Sequence, residues 1–164
     1  MANGVTLTIT TPSDREVQAI RRFNARRELV FKALTTPDLL MRWMDGPHGW
    51  KLAVCEIDLR PGGAFRYVWR KADGREMGMG GVFREVVPPS RIVHTEIFDE
   101  DWTGGETTIT TTLTEHQATT TLTVTVLYAT KAARDAALET NFATGMEAGY
   151  DTLAGLLPSL GDAE

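Results

Sequence analysis

The stretch from Thr130 to Leu157 limits what the rest of the chain can become. Leu138, Phe142, Met146, Gly149, Tyr150, Leu153 and Leu157 recur at spacings of three and four, which places them on one helical face. Glu139, Glu147 and Asp151 fall on the remaining surface. Thr130 is positioned to cap the N-terminus, Arg134 and Asp135 can pair in the first turns, and Pro158 is expected to stop the helix. A long helix with so wide an apolar face needs a surface to lie against. Upstream, Glu16 to Tyr128 reads almost entirely as short strands. The expectation is an α+β chain, with a curved antiparallel sheet of six or seven strands wrapped around a long C-terminal helix.

The strands follow from alternation. Val5 to Thr10 alternates apolar with Thr, and Glu16 to Asn24 places Val17, Ala19, Arg21 and Phe23 on one face. Then the period changes. Glu28 to Thr35 reads as a short helix, and Thr36-Pro37 starts a second one carrying Leu39, Leu40, Trp43 and Met44. Two short helices therefore follow the first long strand. From Lys51 the chain is a meander: 51–59, 64–70, 75–87, 91–98, 106–113 and 119–128. Asp73-Gly74 and His116-Gln117 are its hairpin turns. The glycine pairs at 62–63, 80–81 and 104–105 are expected at bulges or bends, which let such a sheet curl.

Bulk properties exclude several classes. The chain has 164 residues, 42% hydrophobic and 24% charged, values that suit one globular domain spanning 1–164 with its core at about 16–157. Seventeen basic against 22 acidic residues give a formal charge of −5 with no basic tract, so neither nucleic acid nor an anionic membrane is an expected partner. A lone cysteine, Cys55, forms no intrachain disulfide. With no signal pattern and no apolar run long enough to span a bilayer, the expected location is cytoplasmic.

Three segments together carry a resemblance. They are Arg22-Phe23-Asn24-Ala25 with Val30 to Pro37, Trp43, Gly46 and Pro47; Asp58 to Gly63 before an aromatic strand; and Gly81 to Val86 followed by Pro88-Pro89-Ser90-Arg91-Ile92-Val93. With Gly145 to Leu157 they cover about 17–157 and resemble START-like (SRPBCC) proteins, in the bacterial branch related to the C-terminal domain of the heat-shock chaperone ATPase activator. The resemblance implies a helix-grip fold with a cavity between sheet and helix. Many relatives carry Gly-Trp in the last helix where this chain has Gly149-Tyr150. Relatives range over hydrophobic-ligand binding, polyketide cyclisation and chaperone contact, and fold alone does not choose. Eukaryotic activators make much of their chaperone contact through a separate N-terminal domain that is not in this sequence, which turns expectation away from co-chaperone activity.

The residues expected to line the cavity are Phe65, Tyr67 and Trp69 on one strand, Met77 and Met79 on the next, and Phe142, Met146 and Tyr150 on the helix. They can equally fill one another's space as core. His94 and Glu96 share a face with Ile92 and Phe98, about 7 Å apart along the strand. Facing inward they would form a polar pair in an apolar pocket, suited to orienting a ligand or moving a proton. Val93, Thr95 and Ile97 make an equally buriable opposite face, so alternation leaves the choice open. His48 and His116 sit in turns, the histidines and Cys55 lack metal-ligand spacing, and neither metal nor cofactor is expected. Arg21-Arg22 and Arg26-Arg27 read as a solvated basic edge, and Asp58 with Arg60 as a turn pair.

The leading expectation is a non-catalytic module that binds an apolar or aromatic small molecule. A cyclase- or dehydratase-like enzyme using His94, Glu96 or Tyr150 is the alternative. A third reading is a chaperone or partner-interaction module, which would need an apolar patch outside the pocket on Trp43, Met44, Trp50 or Trp102. A homodimer is compatible with all three.

Overall fold

Residues 6–46, 49–100 and 104–162 are described in a computed structural model of the chain, so His48 and Trp102 lie outside the described residues. The alternating stretches become strands, the first over its last three residues only, with Val5 outside the described residues: β1 (Thr8–Thr10), β2 (Glu16–Phe23), β3 (Lys51–Ile57), β4 (Ala64–Arg70), β5 (Glu76–Val87), β6 (Arg91–Phe98), β7 (Thr107–His116) and β8 (Thr119–Leu127). They pair antiparallel in one curved sheet ordered β1-β2-β8-β7-β6-β5-β4-β3. The described sheet thus has eight strands, not six or seven. Even the three-residue β1 finds a partner, Thr8 to Thr10 pairing with Ile20 to Gln18.

Between β2 and β3 lie the two short helices, α1 (Arg27–Thr35) and α2 (Pro37–Trp43). Pro37 occupies the first helical position of α2, where its missing N–H costs nothing. Thr36 takes the N-cap position, but its side chain makes no capping bond. Two indoles fasten this pair down. Trp43 Nε1 donates to the Ala33 carbonyl at 3.0 Å, and Trp69 Nε1 donates to the Met44 carbonyl at 2.9 Å.

The C-terminal helix differs from expectation in two ways. It is broken into α3 (Lys131–Leu138) and α4 (Phe142–Asp162). Thr130 does cap α3, its hydroxyl accepting from Ala133 N at 3.0 Å. At the break, Thr140 Oγ1 donates to the Ala137 carbonyl at 2.7 Å, so a side chain competes with the helical ladder. The second difference is that Pro158 lies inside α4 and does not stop it. A proline this close to the end forfeits one backbone bond, and its fixed φ is already helical. Leu160 then packs against the core, which holds the last turn in place.

The break divides the packing. Leu153 and Leu157 of α4 are fully buried against the sheet with Phe23, Leu40 and Leu122. Each such leucine contributes about 1.5–3 kcal/mol by burial. Ala137 on α3 joins a separate small cluster with Val17 and Tyr128, against which Phe142 packs half-buried. Arg134 pins α3 to the turn before β2 by donating to the Ser13 carbonyl at 2.7 Å. Leu138, expected on the apolar face, is exposed, because the face turns at the break.

The glycine pairs serve unequal purposes. Gly62 has φ +85°, and a Cβ on Gly63 would run into the Asp58 carbonyl oxygen, so the tight corner after β3 requires both. Its backbone then bonds to β5: Gly62 N donates to the Phe83 carbonyl at 2.7 Å, and Phe83 N to the Gly63 carbonyl at 2.8 Å. Gly104 and Gly105 also have positive φ. Gly80-Gly81, however, is not the site of the bulge. The β5–β6 register shifts between Phe83 and Glu85, and Gly81 instead lets the Thr95 backbone approach closely.

Candidate functional site

Curling the sheet over α4 leaves a chamber of about 220 Å³ near the middle of the interface. Its walls come from every layer: Leu34, Thr35, Trp43 and Met44 from α1, α2 and its C-cap, alternate residues of β3 to β8, and Met146 and Tyr150 from α4. Phe65 and Tyr67 of β4 line it, as alternation indicated. Trp69 does not; it is buried farther along the strand, where its indole holds the end of α2. Met79 is buried in the core and Met77 is packed half-buried against it, so neither thioether of β5 reaches the chamber. The β5 residue that lines it is Phe83.

Strand β6 turns Ile92, His94 and Glu96 inward. His94 Nε2 lies 3.0 Å from Glu96 Oε2, so two groups separated along the strand meet through their side chains. The opposite face spends its polar group within the sheet, Thr95 Oγ1 accepting from Val82 N at 3.0 Å. The His94 ring stands edge-on to Phe65, centroids 5.3 Å apart, and tilted to Phe83 at 6.1 Å. Its Nδ1 is buried with no hydrogen-bond partner among the described residues.

Tyr150 is buried where α4 meets α2 and β2, its ring 6.0 Å from Trp43 and 5.9 Å from Phe23. Burial, and after it the Glu96 charge, raise its ionisation well above the ordinary tyrosine range. The Tyr67 phenol is raised by burial, then by Cys55 and Glu96, and that of Tyr128 by burial and then Glu96. Both chamber phenols, Tyr67 and Tyr150, are therefore neutral hydrogen-bonding groups near one carboxylate.

Phe142 lines a second chamber of about 150 Å³, beneath the α3–α4 break and bounded also by Val17, Tyr128 and Thr140. Glu96, Val124, Val126 and Met146 belong to both chambers and form the partition. Leu122, Val124 and Val126 line the chamber as one face of the alternating strand β8. The contribution of α1 and α2 was not readable in the sequence, because helical periodicity does not say which end of a short helix overhangs a cavity.

Outside the chambers, the basic edge is only partly solvated. Arg21 is 4% exposed, lies over the Phe23 ring, and has its Nη1 2.9 Å from the Asp151 carboxylate. Asp58 and Arg60 pair across their turn at 2.9 Å. Trp43 is buried, and Trp50 is half-buried with Lys71 and Arg75 stacked over its ring. Those two tryptophans do not make the outer apolar patch that a partner-interaction module would need. No helix among the described residues is long and apolar enough to cross a membrane.

The family model described as activator of Hsp90 ATPase homolog 1-like protein matches residues 24–158. The chain belongs to this family. That places it in the START-like superfamily, and the activator-like match covers the short helices, the meander and the long helix alike. Solved structures agree. A protein from Rhodobacter sphaeroides is 36% identical, with 94% of this chain and 99% of that one covered and a TM-score of 0.89. One from Nitrosomonas europaea is 24% identical over 92% and 98%, with a TM-score of 0.80. Another, from Mycobacterium smegmatis, is 23% identical over 92% and 96%, at 0.78. The last two show the helix-grip fold alone. No curated protein matches this activator-like chain.

Proposed function

We propose that this protein is a small-molecule-binding module that holds an apolar or aromatic ligand between α4 and the curved sheet. The observation that carries the reading is the chamber of about 220 Å³, walled by Trp43, Phe65, Phe83, Ile109 and Leu122 and holding one polar pair. Well-packed interiors do not leave such a space without cost, because lining atoms lose dispersion contacts on their empty side. Membership of the activator-like family supports ligand binding or partner interaction in general. The burial of Trp43 and the cationic cover on Trp50 favour the first of these.

Native mass spectrometry of freshly purified protein tests the proposal. A retained non-covalent mass that is lost on denaturation is expected. Only the bare polypeptide, together with no change in melting temperature on adding naphthalene-sized aromatics, would count against it. At a ligand concentration of 100 Kd, binding should stabilise the fold by about 2.7 kcal/mol.

A further inference from the structure

Resting on the binding reading, we infer that the ligand presents a hydrogen-bond donor, a hydroxyl or an ammonium, to Glu96, and that the chamber discriminates against carboxylate-ended molecules. The polar groups on the wall decide this. Among the described residues that line the chamber, Glu96 is the one carboxylate and none is lysine or arginine. Arg21, the buried cation of β2, is paired with Asp151 and does not line it.

His94 fixes one side of the carboxylate. Its Nε2 meets Glu96 Oε2 at 3.0 Å, while Oε1 has no donor among the described residues. An ionised carboxylate only accepts hydrogen bonds, so the group that completes Oε1 must donate. The surrounding phenols do not compete for that role in the protein as it stands. Neither the Tyr67 nor the Tyr150 hydroxyl hydrogen-bonds a described residue, and both are held protonated by burial and then by neighbouring charge, that of Glu96 included. They remain able to accept from the same ligand group or donate to it. A hydroxyl satisfies this arrangement by donating to Glu96 while accepting from a phenol. An ammonium satisfies it by donating to both, with Trp43, Phe65 and Phe83 offering ring surface to its charge. A carboxylate end would instead be brought against Glu96, a like charge among mostly apolar walls.

Four probes with one aromatic body separate these cases: 2-naphthol, 2-naphthylmethylamine, 2-naphthoate and 2-methoxynaphthalene, titrated by calorimetry at neutral pH. The expected order places the naphthol or the amine at least tenfold tighter than both the naphthoate and the methoxy compound. Which of those two leads tells hydroxyl from ammonium. Glu96→Gln, checked for folding by circular dichroism, should reduce that preference to under threefold and relieve the exclusion of naphthoate. Naphthoate binding as tightly as the donors overturns the inference, as does a folded Glu96→Gln variant with the original order. The order in the unaltered protein decides the matter even if the variant does not fold. Binding of methoxynaphthalene with no preference among the four would sink the head-group inference alone. Failure of all four to bind would sink the chamber reading and this inference with it.

Discussion

Tyr150 sits between the rings of Trp43 and Phe23 at the meeting point of α4, α2 and β2. It is buried, lines the chamber, and has no hydrogen-bond partner for its hydroxyl among the described residues. The hydroxyl opens onto the chamber and holds no protein hydrogen bond that its removal would break, so deleting it should not destabilise the fold. Tyr150→Phe should leave the melting temperature unchanged or raise it by about 2–4 °C, the shift that 1 kcal/mol produces in a chain this long. It should also weaken 2-naphthol binding severalfold. A drop in melting temperature of comparable size would show that the hydroxyl already has a protein partner. Tyr150 and Met146 were legible from helical spacing, as Phe65 and Tyr67 were from strand alternation. The inward turn of His94 and Glu96 was not, since Val93, Thr95 and Ile97 offer a second apolar face. What settles it is where Thr95 spends its hydroxyl, a contact across the sheet that no local pattern encodes. Trp69 and Met77 share the inner side with chamber residues and still miss the chamber. Alternation names a face but not how far along the strand the space extends.

At the scale of elements, the short-range signals that worked were the Asp73-Gly74 turn, the Thr130 cap and the changes of period, and the failures lie where two signals compete. Thr140-Asn141 interrupts an otherwise continuous apolar spacing, and the side chain of Thr140 wins over the ladder. The last hairpin is another such place. Its turn falls on Gln117 and Ala118, one residue beyond His116-Gln117, and both adopt positive φ, 51° and 62°. The β7–β8 register fixes this, because His116 pairs with Thr119 and only two residues remain to close the loop. Such turns favour Asn-Gly, and a non-glycine residue in the left-handed region costs roughly 1–2 kcal/mol. Gln117→Asn with Ala118→Gly should therefore raise stability by about 1 kcal/mol in urea unfolding. A double variant no more stable than the parent would show that the loop closes differently.

The whole molecule integrates these local environments into its response to pH, and the alkaline side is where the buried groups point. Cys55 on β3 has its thiol pushed up from 9.0 to about 11, first by burial and then by the charges of Asp38 and Glu56. Between those values the unfolded chain has lost this proton while the folded chain keeps it. The unfolded state then binds fewer protons, so stability falls as pH rises through that window. Tyr67, Tyr128 and Tyr150 act with the same sign, but only above their ordinary value of 10.0, because burial raises all three. The loss should accordingly begin near pH 9 with the thiol and steepen above 10 as the phenols join it. Cys55→Ala separates the two contributions. In urea unfolding at intervals from pH 8 to 11, the variant should be flat to pH 10 and decline beyond it, while the parent declines from 9. Equal slopes for both proteins between 9 and 10 would mean that the folded state does not hold the Cys55 proton. The curved sheet would then be wetter along β3 than its packing against the core implies.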